Sequence, residues 1–323
     1  MKLLYTIIIC FLLCNQHINA QDNPKKYMTD AILLMKQHSV NKGKINWDAL
    51  TAEGMNAIKD KKTIKETYPA IINSLKSLED HHSGFYPPEM VEAYMKTYEE
   101  SGLKFPFPHD SLINGNLGYI TLPAIGNLNQ DDWNLYVSDF YKKIKLLDAK
   151  KLKAWIIDLR DNDGGMFSPM FKAIQPFLDQ QNVAGSKDNN GKISYYKYKD
   201  KNIFFDNTII ATIEIKQIEL KNKSLPIFVL VSKKTASSGE FVTAALIGQK
   251  NVKVVGINTQ GLTSDNSEFR LSDGAILKLT TGTLINRKHE EYREIGKGMT
   301  PDIIVKGSYL SDYMNDIHKS LGQ

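Results

Sequence analysis

Residues 226–248 read PIFVLVSKKTASSGEFVTAALIG, and the rest of the chain is organised around them. The unbroken β-branched and aromatic run at 227–231 reads as a strand buried on both faces. A short polar turn follows at 233–239, carrying the hydroxyls of Thr235, Ser237 and Ser238 and the single Gly239. From Ser238 onward, Phe241, Ala244, Ala245 and Gly248 recur at helical spacing, which gives a small face able to lie close to a sheet. A serine between a buried strand and a helix start stands where backbone N–H groups are unpaired and the dipole is positive. That place suits a nucleophile whose product is an oxyanion, and it equally suits a helix cap. This stretch alone leaves both readings open.

The same order of strand, glycine turn and helix recurs upstream. KAWIIDL at 153–159 is a second buried strand, Arg160-Asp161-Asn162-Asp163-Gly164-Gly165 is its turn, and a helix runs over 168–178. With a strand at Tyr119-Ile120-Thr121-Leu122 and an amphipathic helix over 131–147 through Trp133, Val137, Phe140 and Ile144, this alternation indicates an α/β fold with parallel crossovers. The lysine- and asparagine-rich region 180–224, with Tyr195, Tyr196, Tyr198, Phe204 and Phe205, reads as hairpin strands near the active face. Further on come a strand at 252–256, a hairpin of 269–271 and 276–280 about Asp273-Gly274, and a short strand at 301–305. Residues 21–110 read as a helical N-terminal domain. Its faces are Tyr27, Ala31, Leu34 and Met35, then Trp47, Leu50 and Met55, then Tyr68, Ile71, Ile72, Leu75 and Leu78; a short helix over 89–98 has Pro88 in its first turn. The expected units are a signal segment 1–20, the helical domain 21–110, a catalytic domain 111–308 and a terminal helix 309–323.

The 323 residues are 42% hydrophobic and 24% charged, an ordinary globular balance with ample material for a core. Lys2 followed by the apolar run 3–13 and by Ile18-Asn19-Ala20 has the form of an export signal cut before Gln21. The run is too short to span a bilayer, so the expected location is periplasmic or extracellular, with no stable membrane span. Both cysteines, Cys10 and Cys14, lie inside that segment. The mature chain then has no disulfide, thiolate nucleophile or cysteine metal site. A lipid anchor on Cys14 is disfavoured by the bulky Phe11, Leu12 and Leu13 before it. The net charge is +5, or +4 once Lys2 leaves with the signal, and it is spread along the chain. Nothing in that pattern calls for nucleic acid.

Four loops could carry chemistry. Asp163-Gly164-Gly165 would let backbone N–H groups approach a ligand, or serve only as a tight connection. Residues 235–240 offer the hydroxyls. Asp80-His81-His82-Ser83 places two histidines just past a helix, where one alone would usually be a surface residue. Residues 290–302 carry Glu290, Glu291 and Glu294, a run that reads by default as a solvated face. Several alternatives lack their motif. No Gly-x-Ser-x-Gly elbow is present. Arg293 stands where His289-Glu290 would need a second histidine to bind zinc, and no Walker loop or dinucleotide fingerprint occurs. No metal or organic cofactor is expected.

Taken in order, these loops resemble the C-terminal-processing, or tail-specific, serine peptidases, whose wider family includes the tricorn core and the interphotoreceptor retinoid-binding repeats. The matching elements are Leu78-Glu79-Asp80-His81-His82-Ser83, Gly118-Tyr119-Ile120, Asp158-Leu159-Arg160-Asp161-Asn162-Asp163-Gly164-Gly165 and Thr235-Ala236-Ser237-Ser238-Gly239-Glu240. Thr259-x-Gly261, Leu271-Ser272-Asp273-Gly274 and Gly298-x-x-Pro301-Asp302 complete the series. The resemblance implies a crotonase-like spiral of ββα units behind the small helical domain. It implies Ser237 as nucleophile, with an oxyanion hole from the N–H of Ser238 and of one or both of Gly164 and Gly165. Leu262 stands where the tail-specific branch carries its lysine base, so the likeness is to the tricorn-like branch, whose histidine falls on His82. That branch's orienting acid is nearest to Glu294, displaced by one position with Ile295 in its place; Asp80 or Glu291 could substitute. The short stretch between Ser83 and Gly118 leaves no room for a PDZ module. The reading is an exported serine endopeptidase acting on a peptide or protein substrate through a Ser/His pair. Its alternatives are a non-catalytic ligand- or peptide-binding protein on the same scaffold and an esterase using the same atoms.

Overall fold

The computed structural model describes residues 23–80 and 82–322. The expected signal segment 1–20 with Cys10 and Cys14, and His81, lie outside them. Three helices come first, α1 (Pro24–His38), α2 (Trp47–Ala57) and α3 (Tyr68–Lys76), followed by β1 (Gly84–Tyr86) and α4 (Pro88–Met95). Asn23 and Asn46 begin α1 and α2 by accepting an N–H of the first turn, the capping expected of that residue type. The alternating part follows: β2 (Asp110–Ile113), β3 (Leu117–Thr121), α5 (Gln130–Asp148), β4 (Ala154–Asp158) and α6 (Phe167–Ile174). Next come the four strands β5 (Ala184–Asp188), β6 (Ile193–Lys199), β7 (Asn202–Phe205) and β8 (Thr208–Thr212). The chain closes with β9 (Ile227–Val231), α7 (Ser238–Leu246), β10 (Val252–Gly256), β11 (Ser264–Arg270), β12 (Ile276–Asn286), β13 (Ile303–Ile304) and α8 (Leu310–Ser320).

Two sheets result. One runs β13-β10-β9-β4-β3-β2, parallel throughout except for the antiparallel β2 edge. Every residue of β4 and β9 is buried, as expected of parallel strands covered on both faces. The period-two alternation sorts their side chains. Trp155, Ile157, Ile227, Val229 and Val231 pack under α5, α6 and α7, and Ala154, Ile156, Phe228 and Leu230 pack against Tyr313, Met314 and Ile317 of α8. The terminal helix is thus one wall of the core. The other sheet is antiparallel, in the order β1-β12-β5-β6-β7-β8, with β11 paired to β12.

The helical segment packs on this second sheet. Met28, Met35, Ile71, Leu75 and Leu78 share one apolar cluster with Leu271, Ala275, Leu277 and Leu279 of the β11–β12 hairpin. Asp273 at the tip of that hairpin accepts the hydroxyls of Tyr27 and Tyr68. The Asp-Gly turn lies where the sequence puts it, with Leu271 N–H on Ala275 O. The strands around it are longer than the sequence reading, because Gly282 to Asn286 extend β12 by pairing with β5. The short helix ends at Met95 rather than 98, its last turn held from outside by Asn127 and Asn129 side chains on Lys96 O and Met95 O.

Candidate active site

The loops after β4 and β9 leave the carboxyl ends of neighbouring parallel strands, the place where open α/β sheets put their sites. They are knitted together by backbone and short side chains. Thr235 Oγ1 donates to Leu159 O at 2.8 Å, Ser232 Oγ to Arg160 O at 2.5 Å, and Ala236 N–H to Asn162 O at 3.0 Å. Asn162, only 1% exposed, spans the junction. Its Nδ2 donates to Leu122 O and its Oδ1 accepts the Gly164 N–H at 3.1 Å.

Ser237 is the residue just before α7. Its backbone sits at φ 49°, ψ −121°, a region that costs a non-glycine residue on the order of 1–3 kcal/mol and that clusters at functional sites. Glycines make the fit beside it. A Cβ on Gly164, at φ 120°, would lie 2.9 Å from Ser237 Cβ, and one on Gly165 would lie 2.2 Å from Ile125 O. Because the Gly164 N–H is spent on Asn162, it is not free for an oxyanion. Among the described residues no hydrogen bond uses the N–H of Gly165 or of Ser238, and both residues line the same cleft as Ser237. Ser238 Oγ donates to Gly165 O at 2.6 Å, tying the two loops together at that point.

The fully buried Glu240 lies behind the turn. Its carboxylate accepts the N–H groups of Ser237 at 3.0 Å and of Gly261 and Leu262 at 2.8 Å, together with the Thr259 hydroxyl. Burial raises its pKa, and these hydrogen bonds pull the other way. Leu262, standing where a lysine base was looked for, thus serves through its backbone.

His82 approaches from the antiparallel sheet. Asp80 accepts the N–H groups of His82 and Ser83 and the Ser83 hydroxyl, so this acid fixes the loop and not the ring. The ring Nδ1 is 2.7 Å from Ser264 Oγ, and the Asn266 amide nitrogen is 3.2 Å from Nδ1 and 3.4 Å from Nε2. Burial, with the Lys278 ammonium adding to it, pushes the imidazole pKa down to about 4 against the pull of Asp80. The ring is therefore neutral, the form a base requires. His82 and Ser237 line one cleft of about 820 Å³, with aromatic walls from Tyr86, Trp133, Phe167, Tyr196 and Phe241 and a polar side from Ser264 to Glu268 and Lys278. Tyr196 and Phe205 come from the hairpin region, as its sequence suggested. No hydrogen bond joins His82 to Ser237 among the described residues.

Glu294 is not part of this arrangement. It is exposed, pairs with Lys297 at 2.9 Å, and lines a separate charged pocket of about 570 Å³. Its segment is turned outward because the Thr263 hydroxyl donates to Tyr292 O at 2.8 Å and the Gly296 N–H donates to Gly261 O at 3.0 Å. Glu291 is also engaged elsewhere. Burial would raise its pKa, but hydrogen bonds from Arg293, Thr283 and Lys187 hold it down at about 2. The groups oriented on the imidazole are Ser264 and Asn266, which reading the sequence missed. They reach His82 only through strand pairing, and no local motif marks them. The roles of Asn162 and Glu240 were also missed, although both stand inside quoted motifs.

Residues 116–305 match the family model described as peptidase family S41. The chain is 26% identical over 284 residues to the nisin-resistance protein of Lactococcus lactis subsp. lactis, covering 87% of this chain and 83% of that one. It is 30% identical over 191 residues to the chloroplastic carboxyl-terminal-processing peptidase 2 of Arabidopsis thaliana, covering 59% of this chain and 33% of that longer protein. A solved lipoprotein structure from Streptococcus agalactiae superposes with a TM-score of 0.75 at 22% identity, over 93% of this chain and 96% of that one, a likeness of fold.

Proposed function

Because this chain belongs to peptidase family S41 and is a serine-type peptidase, we propose that it cleaves peptide bonds with Ser237 as nucleophile and His82 as base. Ser237 Oγ attacks the scissile carbonyl carbon while His82 Nε2 takes its proton. The N–H groups of Gly165 and Ser238 receive the oxyanion, and the imidazolium then gives its proton to the leaving amine. Water, deprotonated by the same imidazole, hydrolyses the acyl-enzyme. In the tautomer this needs, Nδ1–H donates to Ser264 Oγ. Ser264 takes the orienting place that an acid fills in the serine–histidine–aspartate arrangement. The observation that carries the reading is the Ser237 backbone at positive φ, set beside two unspent N–H groups in the cleft that also receives a neutral histidine. Apo sites often leave nucleophile and base apart until substrate closes them.

The finer fold reading belongs to the same proposal: a crotonase-like spiral of ββα units behind a helical N-terminal domain, supported by the crossover helices α5, α6 and α7 on one face of the parallel sheet. So does export, with cleavage after Ala20 and a periplasmic or extracellular location; no helix among the described residues is long and apolar enough to cross a membrane. N-terminal sequencing of the mature protein should begin at Gln21, and an intact Met1 would rule the signal out.

The decisive experiment incubates the protein and its Ser237→Ala variant with a serine-directed fluorophosphonate and with a diverse peptide pool, nisin included because of the relative named for resistance to it. The wild type should be labelled and should cut peptides, and the variant should do neither. Equal labelling of the two would remove Ser237 from its role. Labelling without any peptide turnover would favour the binding-protein or esterase reading.

A further inference from the structure

Asp265 stands between the two residues that touch the imidazole. Ser264 and Asn266, two apart on β11, share the face that meets the His82 ring. Asp265 turns the other way, toward the hairpin strands β5 and β6, and is only 7% exposed. The Tyr196 hydroxyl of β6 donates to its Oδ1 at 2.6 Å, and the Ser186 hydroxyl of β5 and the Asn266 N–H bond to the same carboxylate. Room for this comes from across the ladder. Gly282 is the register partner of Asp265, and a Cβ on it would lie 2.3 Å from Ser186 Oγ. The β11–β12 register shifts at this step, between Asp265 and Asn266, and an irregularity of that kind re-aims the side chains beside it.

Fastening strands does not account for the choice of residue. Taking a carboxylate out of water is a penalty that its partners do not reliably offset, and an apolar side chain would pin β11 to β5 and β6 as well. What a buried, fully bonded charge secures is one arrangement of its partners. Its neighbours here need one arrangement. Ser264 Oγ lies 2.7 Å from Nδ1, and the Asn266 amide keeps its nitrogen toward the ring because its oxygen accepts the Thr280 hydroxyl at 3.0 Å. On the far side of the carboxylate, the Tyr196 ring packs against Phe167, Phe205 and Phe241, with centroids 4.6, 4.9 and 6.1 Å away. The tyrosine thus gives its ring to the aromatic wall and its hydroxyl to the anchor.

We propose that Asp265 and Tyr196 are positioning residues for His82: the carboxylate, gripped by the tyrosine hydroxyl, aims Ser264 and Asn266 at the imidazole and ties the base to the wall that a substrate side chain meets. The proposal rests on the peptidase reading of this cleft and adds a link between two of its parts. A substrate that fills the wall seats Tyr196. Through Asp265 and Ser264 that contact holds Nδ1–H in place and leaves Nε2 free to take the Ser237 proton. Side-chain preference should therefore be read in kcat as well as in KM.

The test removes one hydroxyl and keeps the ring. In Tyr196→Phe the wall stays whole, and kcat should fall about tenfold with KM within about twofold. Tyr141→Phe is the control. It deletes another buried tyrosine hydroxyl, bonded to Lys172 O at 2.7 Å and outside the cleft, and should leave kcat unchanged. The double variant Tyr196→Phe/Ser264→Ala should lose well short of the about hundredfold expected of independent effects; the full product would mean that Tyr196 does not act through Ser264. A second readout needs no turnover. On a Ser237→Ala background with isotope-labelled histidine, NMR should find the His82 ring protonated at Nδ1, and Tyr196→Phe should return a visible share to the Nε2–H tautomer. The same ring spectrum in Tyr196→Phe and Tyr141→Phe overturns the proposal, and if the wild type cuts peptides, the peptidase reading stands without it. A changed tautomer in a protein that cuts none keeps the positioning and removes only the peptidase reading.

Discussion

The two halves of the site are built differently. The half that carries Ser237, the proposed nucleophile, is assembled from the ends of two adjacent parallel strands, and its anchors are backbone groups and short side chains: Asn162, Thr235, Ser232 and Ser238. Its glycines leave no space for drift. The half that carries His82, the proposed base, hangs from the antiparallel sheet, with Asp80 shaping the loop and Ser264, 182 residues away, touching the ring. The first half is rigid because the fold's deepest core supports it. The second depends on the register of one hairpin. The contrast teaches that on the proposed mechanism the geometry of attack is fixed by the core, whereas the protonation and orientation of His82 are set at a sheet edge, where they can be tuned.

Several substitutions can break or sharpen that contrast. Ser237→Ala should lower kcat/KM at least about a thousandfold with Tm unchanged, and His82→Ala should fall within an order of magnitude of it. A small effect of His82→Ala would mean the base half is not part of the machine. Gly164→Ala strikes the rigid half. Its Cβ would meet Ser237 Cβ at 2.9 Å with φ at 120°, so a loss of stability on the order of 1–3 kcal/mol should accompany a drop in kcat of about a hundredfold. Calorimetry and single-turnover rates check the two together. Ser264→Ala strikes the tunable half and should cost about tenfold in kcat with KM and Tm nearly unmoved, the worth of one hydrogen bond.

The smallest effects concern pH. With the His82 pKa down at about 4 from an ordinary 6.5, the acid limb of kcat/KM should lie near pH 4 and not near 6.5. The sign for stability follows from the same shift. The unfolded chain binds the proton more readily, so stability rises with pH between about 4 and 6.5, and is lost as pH falls through that window. His82→Asn should flatten this part of the Tm profile relative to the wild type. Lys278→Ala removes a positive charge that disfavours imidazolium, so the acid limb should move upward by a fraction of a unit, less at high salt. A limb that stays put would leave burial alone as the cause of the shift.

What could be read from the sequence divides along the same line. The strand–turn–helix around Ser237 and its echo at Asp163-Gly164-Gly165 are local patterns, and the alternation of buried strands with amphipathic helices announces the parallel sheet. The contacts of His82 are products of pairing between β11 and β12. Neither Ser264 nor Asn266 carries a local signal, and the acid expected at Glu294 is turned to solvent by its own segment's backbone bonds. The pairing of β12 with β5 escaped notice for a similar reason. Thr281-Gly282-Thr283 has weak strand character by itself, and the partner strand makes it one. Asn162 and Glu240 stood in plain view, but the value of a buried amide or carboxylate lies in how many partners surround it, and spacing does not count partners.

Residues 259–264 touch both halves: at one end Thr259, Gly261 and Leu262 clasp the carboxylate behind the nucleophile, and at the other Ser264 meets the imidazole. Six residues therefore work as a common yoke. Anyone grafting this chemistry onto another scaffold would have to transplant that yoke whole, because a serine and a histidine moved without it would share a cavity and never a reaction coordinate.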